Sequence, residues 1–272
     1  MDARQVRIPD LTERKRRGEK IAMLTAYDAA MAKIFDRAGI DALLVGDSVG
    51  MVALGHKTTL PVTLDAMVHH TAAVSRGTER ALVIADLPFL TYQVDVAEAV
   101  RNAGRLLQEG GAAAVKLEGG RAVLDVVRRL VDVGIPVMGH LGLLPQSVHQ
   151  LGGYRRRGIA PREAEAIRTD AAALEAAGAF AIVLESIPPD LARSVTTEVQ
   201  IPTIGIGAGP DCDGQILVSY DMLGLIDGSV PPFVHQYARL AQTILSAAQT
   251  YVGDVRAGRF PEVGVPTART PV

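Results

Sequence analysis

The sequence predicts an α/β protein built on a (β/α)8 barrel, and three observations carry that expectation. Short runs rich in Val, Ile and Leu recur along the chain and alternate with alanine-rich helical patterns. Each run has the length and content of a strand buried on both faces, as in a parallel sheet. The first strand is followed by Thr25-Ala26-Tyr27-Asp28, not by the glycine-rich fingerprint that a doubly wound nucleotide-binding sheet carries.

Candidate strands lie at 21–27, 42–46, 82–86, 114–118, 135–139, 181–185, 202–206 and 222–226. Helical patterns fill Asp28–Arg37, Leu64–Arg76, Asp95–Glu109, Ala122–Val131, Pro161–Ala176 and Pro189–Glu198. Their starts carry Asp, Thr or Pro and their ends carry Gly39, Gly77, Gly110, Gly134 and Gly178, as helix caps require. A helical cap is expected at about 10–18. The stretch 207–221 leaves room for a short helix around 214–220, and a long helix at about 233–257 follows Pro231-Pro232. No low-complexity linker divides the chain, so 1–272 reads as one domain.

Composition narrows the class. Hydrophobic residues make up 48% and charged residues 21% of the 272, which supports a substantial core. A formal charge of -2 and 4% aromatics without Trp argue against nucleic-acid binding. The single cysteine, Cys212, excludes an intrachain disulfide framework. No apolar run approaches the ~20 residues that cross a bilayer, and the polar stretch Met1–Gln5 has no signal-peptide core behind it. A cytoplasmic protein is expected.

Four of the apolar runs end in an acidic residue: Asp47, Asp86, Glu118 and Glu185. In a (β/α)8 barrel the C-terminal strand ends face one mouth, so the four carboxylates converge there. Asp47 and Asp86 come from neighbouring strands and repel one another, which a divalent cation relieves. Mg²⁺ suits such a pair, because it takes one or two carboxylates and keeps other positions for water and substrate. The alternative is a helix cap for one and an arginine partner for the other.

Lys116 shares a strand face with Glu118 and suits a carboxylate or keto oxygen of an anionic substrate. Glu118 is either a further metal ligand, directly or through water, or the counter-charge of Lys116. Glu185, between Val183-Leu184 and Ile187-Pro188, has the apolar setting of a general base or acid; otherwise it caps the helix beginning near Pro189. His140 is either structural or a ligand of the site. The run Gly205-Ile206-Gly207-Ala208-Gly209 offers backbone N–H groups to an anion ahead of the short helix, a weak signal. His56, His69, His70 and His149 show no metal-ligand spacing.

Longer motifs carry a resemblance. Val45-Gly46-Asp47-Ser48-Val49-Gly50-Met51, Gly55-His56-Lys57-Thr58-Thr59-Leu60-Pro61-Val62 and Ala85-Asp86-Leu87-Pro88-Phe89 resemble the 3-methyl-2-oxobutanoate (ketopantoate) hydroxymethyltransferases. Lys116-Leu117-Glu118-Gly119-Gly120, the run from Gly139-His140 to Pro145-Gln146, and Ile204–Gly209 continue it in order. The resemblance implies a barrel of the phosphoenolpyruvate/pyruvate superfamily kind. It implies Mg²⁺ on Asp47 and Asp86 with Glu118 near it, a 2-oxo acid held by Ser48 and Lys116, and Glu185 as proton acceptor. His140 is expected close to the substrate. The resemblance further implies 5,10-methylenetetrahydrofolate as one-carbon donor, a place in pantothenate biosynthesis and a homodecamer. Two alternatives are a Mg²⁺-dependent C–C lyase of the isocitrate lyase kind and a non-catalytic barrel that binds a keto acid.

Overall fold

The computed structural model describes residues 4–226, 228 and 230–261. The chain separates into two compact units, Met1–Ser219 and Tyr220–Val272.

The first unit begins with helix α1 (Ile8–Arg17) and strand β1 (Ile21–Thr25), then α2 (Ala29–Ala38) and β2 (Ala42–Val45). Next come α3 (Val49–Val52), α4 (Leu64–Arg76), β3 (Leu82–Asp86), α5 (Val96–Gln108) and β4 (Ala114–Lys116). After α6 (Leu124–Asp132) and β5 (Val137–Gly142) follow α7 (Val148–Leu151), α8 (Pro161–Ala176), β6 (Ala181–Glu185), α9 (Pro189–Glu198), β7 (Thr203–Ile206) and β8 (Gly214–Leu217). The strands close into a parallel barrel in chain order, with β1 paired to β8.

Local chemistry starts the helices where the sequence indicates. The side chains of Asp28, Thr63 and Asp95 accept the backbone N–H of Met31, Ala66 and Glu98, capping α2, α4 and α5. Inside the barrel, Met23, Leu44, Ile84, Met138, Val183, Ile204 and Ile216 form one buried cluster. Val6, Ile8 and Leu11 join the same cluster with Ile21, Leu82 and Phe180, residues at the N-terminal ends of their strands. Helix α1 therefore plugs that end, and the C-terminal ends are left to form a mouth.

The last strand differs from expectation. The apolar run 222–226 is not a strand, and the stretch expected as a short helix holds β8 instead. Ile21 pairs with Gly214 and Met23 with Ile216. A Cβ on Gly214 would lie 2.5 Å from the Ile21 carbonyl oxygen, so the close approach of the two strands selects glycine there. The run 222–226 is broken by Gly224, whose φ of 60° turns the chain after α10 (Ser219–Met222).

In the second unit the long helix α11 spans Leu240–Arg256, starting later than the expected 233. The N–H groups of Tyr237 and Leu240 donate to the carbonyls of Met222 and Leu223, which holds the segment after Pro231-Pro232 in a non-helical path. No helix among the described residues is long and apolar enough to cross a membrane.

Candidate active site at the barrel mouth

Strand register brings the acidic endings together. Asp86 ends β3 opposite Lys116, the last residue of β4, and Glu185 ends β6 opposite Gly142 of β5. Asp47 lies two residues beyond β2, and its backbone N–H donates to Asp86 Oδ2 at 3.0 Å. A Cβ on Gly46 would lie 2.7 Å from Ser48 Oγ, so glycine there leaves the serine its present rotamer.

Asp47, Asp86, Lys116, Glu118 and His140 are all buried. Lys116 Nζ lies 3.1 Å from Asp86 Oδ1 and 3.3 Å from His140 Nδ1. His140 Nδ1 is 3.6 Å from Glu118 Oε1, and His140 Nε2 is 3.1 Å from Glu185 Oε2. Asp86 Oδ1 and His140 Nε2 nevertheless make no directed hydrogen bond. Their contacts to Lys116 and Glu185 are charge–charge approaches whose geometry leaves both atoms able to take another partner.

The electrostatics follow from burial and crowding. Burial, then repulsion from Asp86 and Glu118, holds the Asp47 carboxyl well above the ordinary range. Burial also raises Asp86, with Lys116 partly opposing it. Burial disfavours the Lys116 ammonium, but the carboxylates of Asp86, Glu118 and Asp47 outweigh it and raise its pKa. Burial and the Lys116 charge press the His140 pKa down; Glu118 and Glu185 outweigh them and bring it to about 9. Fully ionised, four carboxylates face two cations, an excess of two negative charges.

That donor set fits a divalent cation. The excess charge matches one Mg²⁺, and Asp86 Oδ1 is a buried oxygen without a directed donor. Among the described residues, no group of three His, Cys, Asp or Glu side chains converges as a complete ligand set. A divalent ion here would meet the Asp47–Asp86 pair and not a complete protein ligand set. Both Glu118 oxygens already have neighbours, Oε2 accepting the Gln146 backbone N–H at 3.0 Å and Oε1 facing His140.

Ser48 precedes α3, and its Oγ lies 2.9 Å from the Tyr27 hydroxyl. Glu185 is half-buried and does not cap α9, whose cap position is Pro188. Its surroundings are not purely apolar, because His140 of the adjacent strand stands beside it. Ser186, the next residue, has φ of 50°, an unusual backbone state for a residue with a Cβ. The 205–209 glycines lead into β8, so no helix N-terminus stands behind them for an anion; Gly205 instead packs against Cys212.

Sequence reasoning missed a buried positioning network. Gln146 Nε2 donates to Asp47 Oδ2 at 2.8 Å and to the Leu87 carbonyl at 3.0 Å. Gln146 Oε1 accepts from the Tyr92 hydroxyl at 2.7 Å, and that hydroxyl in turn accepts the Glu118 N–H at 3.1 Å. One amide thus fixes Asp47 from β2 against the segment after β4. The only signal in the sequence was the place of Tyr92 and Gln146, each a few residues past a strand's C-terminal end.

A family model described as ketopantoate hydroxymethyltransferase matches residues 5–263. A 3-methyl-2-oxobutanoate hydroxymethyltransferase of Moorella thermoacetica is 58% identical over 258 residues, 95% of this chain and 96% of that protein. Among solved structures, a putative phosphonomutase of Burkholderia cenocepacia J2315 matches with a TM-score of 0.63 at 17% identity, covering 92% and 98% of the two chains. A 2,3-dimethylmalate lyase of the PEP mutase/isocitrate lyase superfamily matches with a TM-score of 0.61 at 19% identity, covering 97% and 91%. At these identities the two structures speak for the fold alone.

Proposed function

The chain belongs to the ketopantoate hydroxymethyltransferase family, and on that premise we propose how its barrel mouth transfers a hydroxymethyl group to 3-methyl-2-oxobutanoate. The product is 2-dehydropantoate, and the donor in this reading is 5,10-methylenetetrahydrofolate. Family membership leaves no place for the lyase or for the non-catalytic barrel.

Asp47 and Asp86 would hold Mg²⁺, with Glu118 near it, directly or through water; its Oε2 already accepts the Gln146 N–H. When bound, the metal supplies Lewis-acid polarisation of the 2-oxo group and lowers the mutual repulsion of the two aspartates. Lys116 stays charged and attracts the substrate carboxylate, while Ser48, oriented by Tyr27, donates a hydrogen bond to it. Glu185 stands as the base that takes the proton from C3. His140 Nε2, 3.1 Å away, stabilises the Glu185 carboxylate and fixes where its oxygens point. The resulting carbanion equivalent attacks the one-carbon unit to form the new C–C bond. The C–N bonds of that carbon to the folate break, water provides the hydroxyl oxygen of the product, and tetrahydrofolate leaves.

The observation that carries this reading is the buried Asp86 Oδ1, which faces Lys116 without a directed hydrogen bond inside a cluster of excess negative charge. We further read the chain as one working domain that assembles as a homodecamer in the cytoplasm. Mass-spectrometric detection of 2-dehydropantoate tests the function: formation with Mg²⁺ and loss on chelation supports it, and formation unaffected by chelation refutes the metal assignment.

A further inference from the structure

The loop 152–158 between α7 and α8 carries three consecutive arginines that the mouth's chemistry leaves unexplained. Arg157 is committed to the fold. Its backbone N–H donates to the Ser186 carbonyl at 2.9 Å, one residue past Glu185, and its guanidinium pairs with Glu163. The Glu163 carboxylate also accepts the Gly158 N–H at 2.7 Å. On the other side, the Tyr154 hydroxyl reaches Met51 Sδ at 3.6 Å, in the helix that follows Asp47 and Ser48. Burial, then the charges of Asp47, Glu185 and Glu118, raises the Tyr154 pKa, so this phenol sits in the field of the mouth.

Arg155 and Arg156 lie between these two anchors. Both are exposed, and neither has a hydrogen bond or ion pair among the described residues. The loop therefore holds two uncommitted guanidinium groups at the rim of a mouth that is itself acidic. A folate bears its reactive pterin at one end and a chain of glutamyl carboxylates at the other. The reactive end must reach the substrate beside Glu185, while the mouth's carboxylates repel a polyanion. The tail has to leave on the side where cations stand, and guanidinium groups match carboxylates in geometry as well as charge.

We propose that Arg155 and Arg156 form a subsite for the poly-γ-glutamyl tail of the folate co-substrate, with Tyr154 and Met51 as the lip over which the p-aminobenzoyl portion leaves the mouth. The inference rests on the folate reading above and adds to it which form of the co-substrate the chain selects.

Calorimetric titration of the full chain with tetrahydropteroyl-monoglutamate and -pentaglutamate, in Mg²⁺ and 3-methyl-2-oxobutanoate, tests it. The pentaglutamate binds about tenfold tighter at low salt, as a few exposed charge pairs allow. The advantage shrinks in about 0.5 M NaCl, where such pairs are screened. In the double variant Arg155→Gln/Arg156→Gln the ratio of the two affinities falls towards one, and in Arg155→Lys/Arg156→Lys most of it returns. Equal affinity for both folates in the parent, or an unchanged ratio in the glutamine variant, overturns the tail subsite and leaves the folate reading intact. Binding of neither folate overturns both.

Discussion

The two ends of the barrel both bury charge, and they treat it in opposite ways. At the N-terminal end, Asp41 accepts the Ala22 N–H at 3.0 Å and pairs with Arg14 at 2.8 Å. Asp213 pairs with Lys15 at 2.8 Å and accepts both the N–H and the hydroxyl of Thr203. Each of these carboxylates has directed donors. At the mouth, Asp47 and Asp86 repel one another, and Asp86 Oδ1 and His140 Nε2 lack a directed bond. Matched charge ties α1 to the barrel, whereas the charge at the mouth is left in excess.

The largest expected effect lies in the acidic pair. If the proposed metal site holds, Asp86→Asn lowers turnover by about a thousandfold, since several kcal/mol of Lewis-acid stabilisation would depend on the metal. Asp47→Asn raises the melting temperature of the chelated protein by a few degrees, because it removes repulsion between buried carboxylates while leaving Asp86 to Lys116. Calorimetry in EDTA and in Mg²⁺ checks this; equal melting temperatures of parent and variant in EDTA would remove the contrast between the two ends. The sign with pH follows. A carboxyl whose folded pKa is raised contributes stability at low pH and loses it as pH climbs through that pKa. The metal-free parent therefore loses stability as pH rises from the ordinary carboxyl value of ~3.9 towards the raised one of Asp47, and Asp47→Asn flattens that slope.

Glu185→Gln sharpens the division of labour within the mouth. Solvent-deuterium exchange at C3 of 3-methyl-2-oxobutanoate should fall by about 10²- to 10⁴-fold, while its calorimetric affinity changes little. Full exchange in this variant would disqualify Glu185 as the base.

Gln146→Leu tests the positioning network. It leaves Asp47 Oδ2 and the Tyr92 hydroxyl without their buried partner, which costs about 1–3 kcal/mol of stability. A lowered kcat with a weakened Mg²⁺ affinity is expected, and Gln146→Glu should not restore it, because a carboxylate adds repulsion beside Asp47.

At the plugged end, Asp213→Ala should cost about 1–3 kcal/mol of stability through the lost Lys15 and Thr203 contacts, with kcat unchanged. A kcat that fell with it would mean that the two ends are not independent. The smallest effect is expected at His140. Its folded pKa of about 9 exceeds the ordinary ~6.5. Its contribution is complete below about pH 6.5 and disappears as pH rises through 9, so His140→Asn should flatten the decline of melting temperature across that interval.

The strand tips were legible because a strand buried on both faces reads as an uninterrupted apolar run, and a charged residue ending it stands out. Asp86 closing Leu82–Ala85 and Glu185 closing Ala181–Leu184 are of this kind. β8 was not legible, since Gly214-Gln215-Ile216-Leu217 includes an exposed glutamine and a glycine selected by contact with Ile21. The run 222–226 looked more strand-like, yet Gly224 turns it. Tyr92 and Gln146 escaped notice because loops carry no periodicity, and their partners lie 26 to 99 residues away in the chain.

Sequence alone determined the alternation of strand and helix, the caps that start the helices and the identity of the acids at the strand ends. These follow from local propensity and from the period of burial, which each segment carries in itself. Tertiary structure alone decided that Lys116 faces Asp86, that His140 stands between Glu118 and Glu185, and that Gln146 clasps Asp47. Closure and register of the barrel set those distances, and burial at the mouth turns ordinary carboxylates into groups whose charge requires a partner.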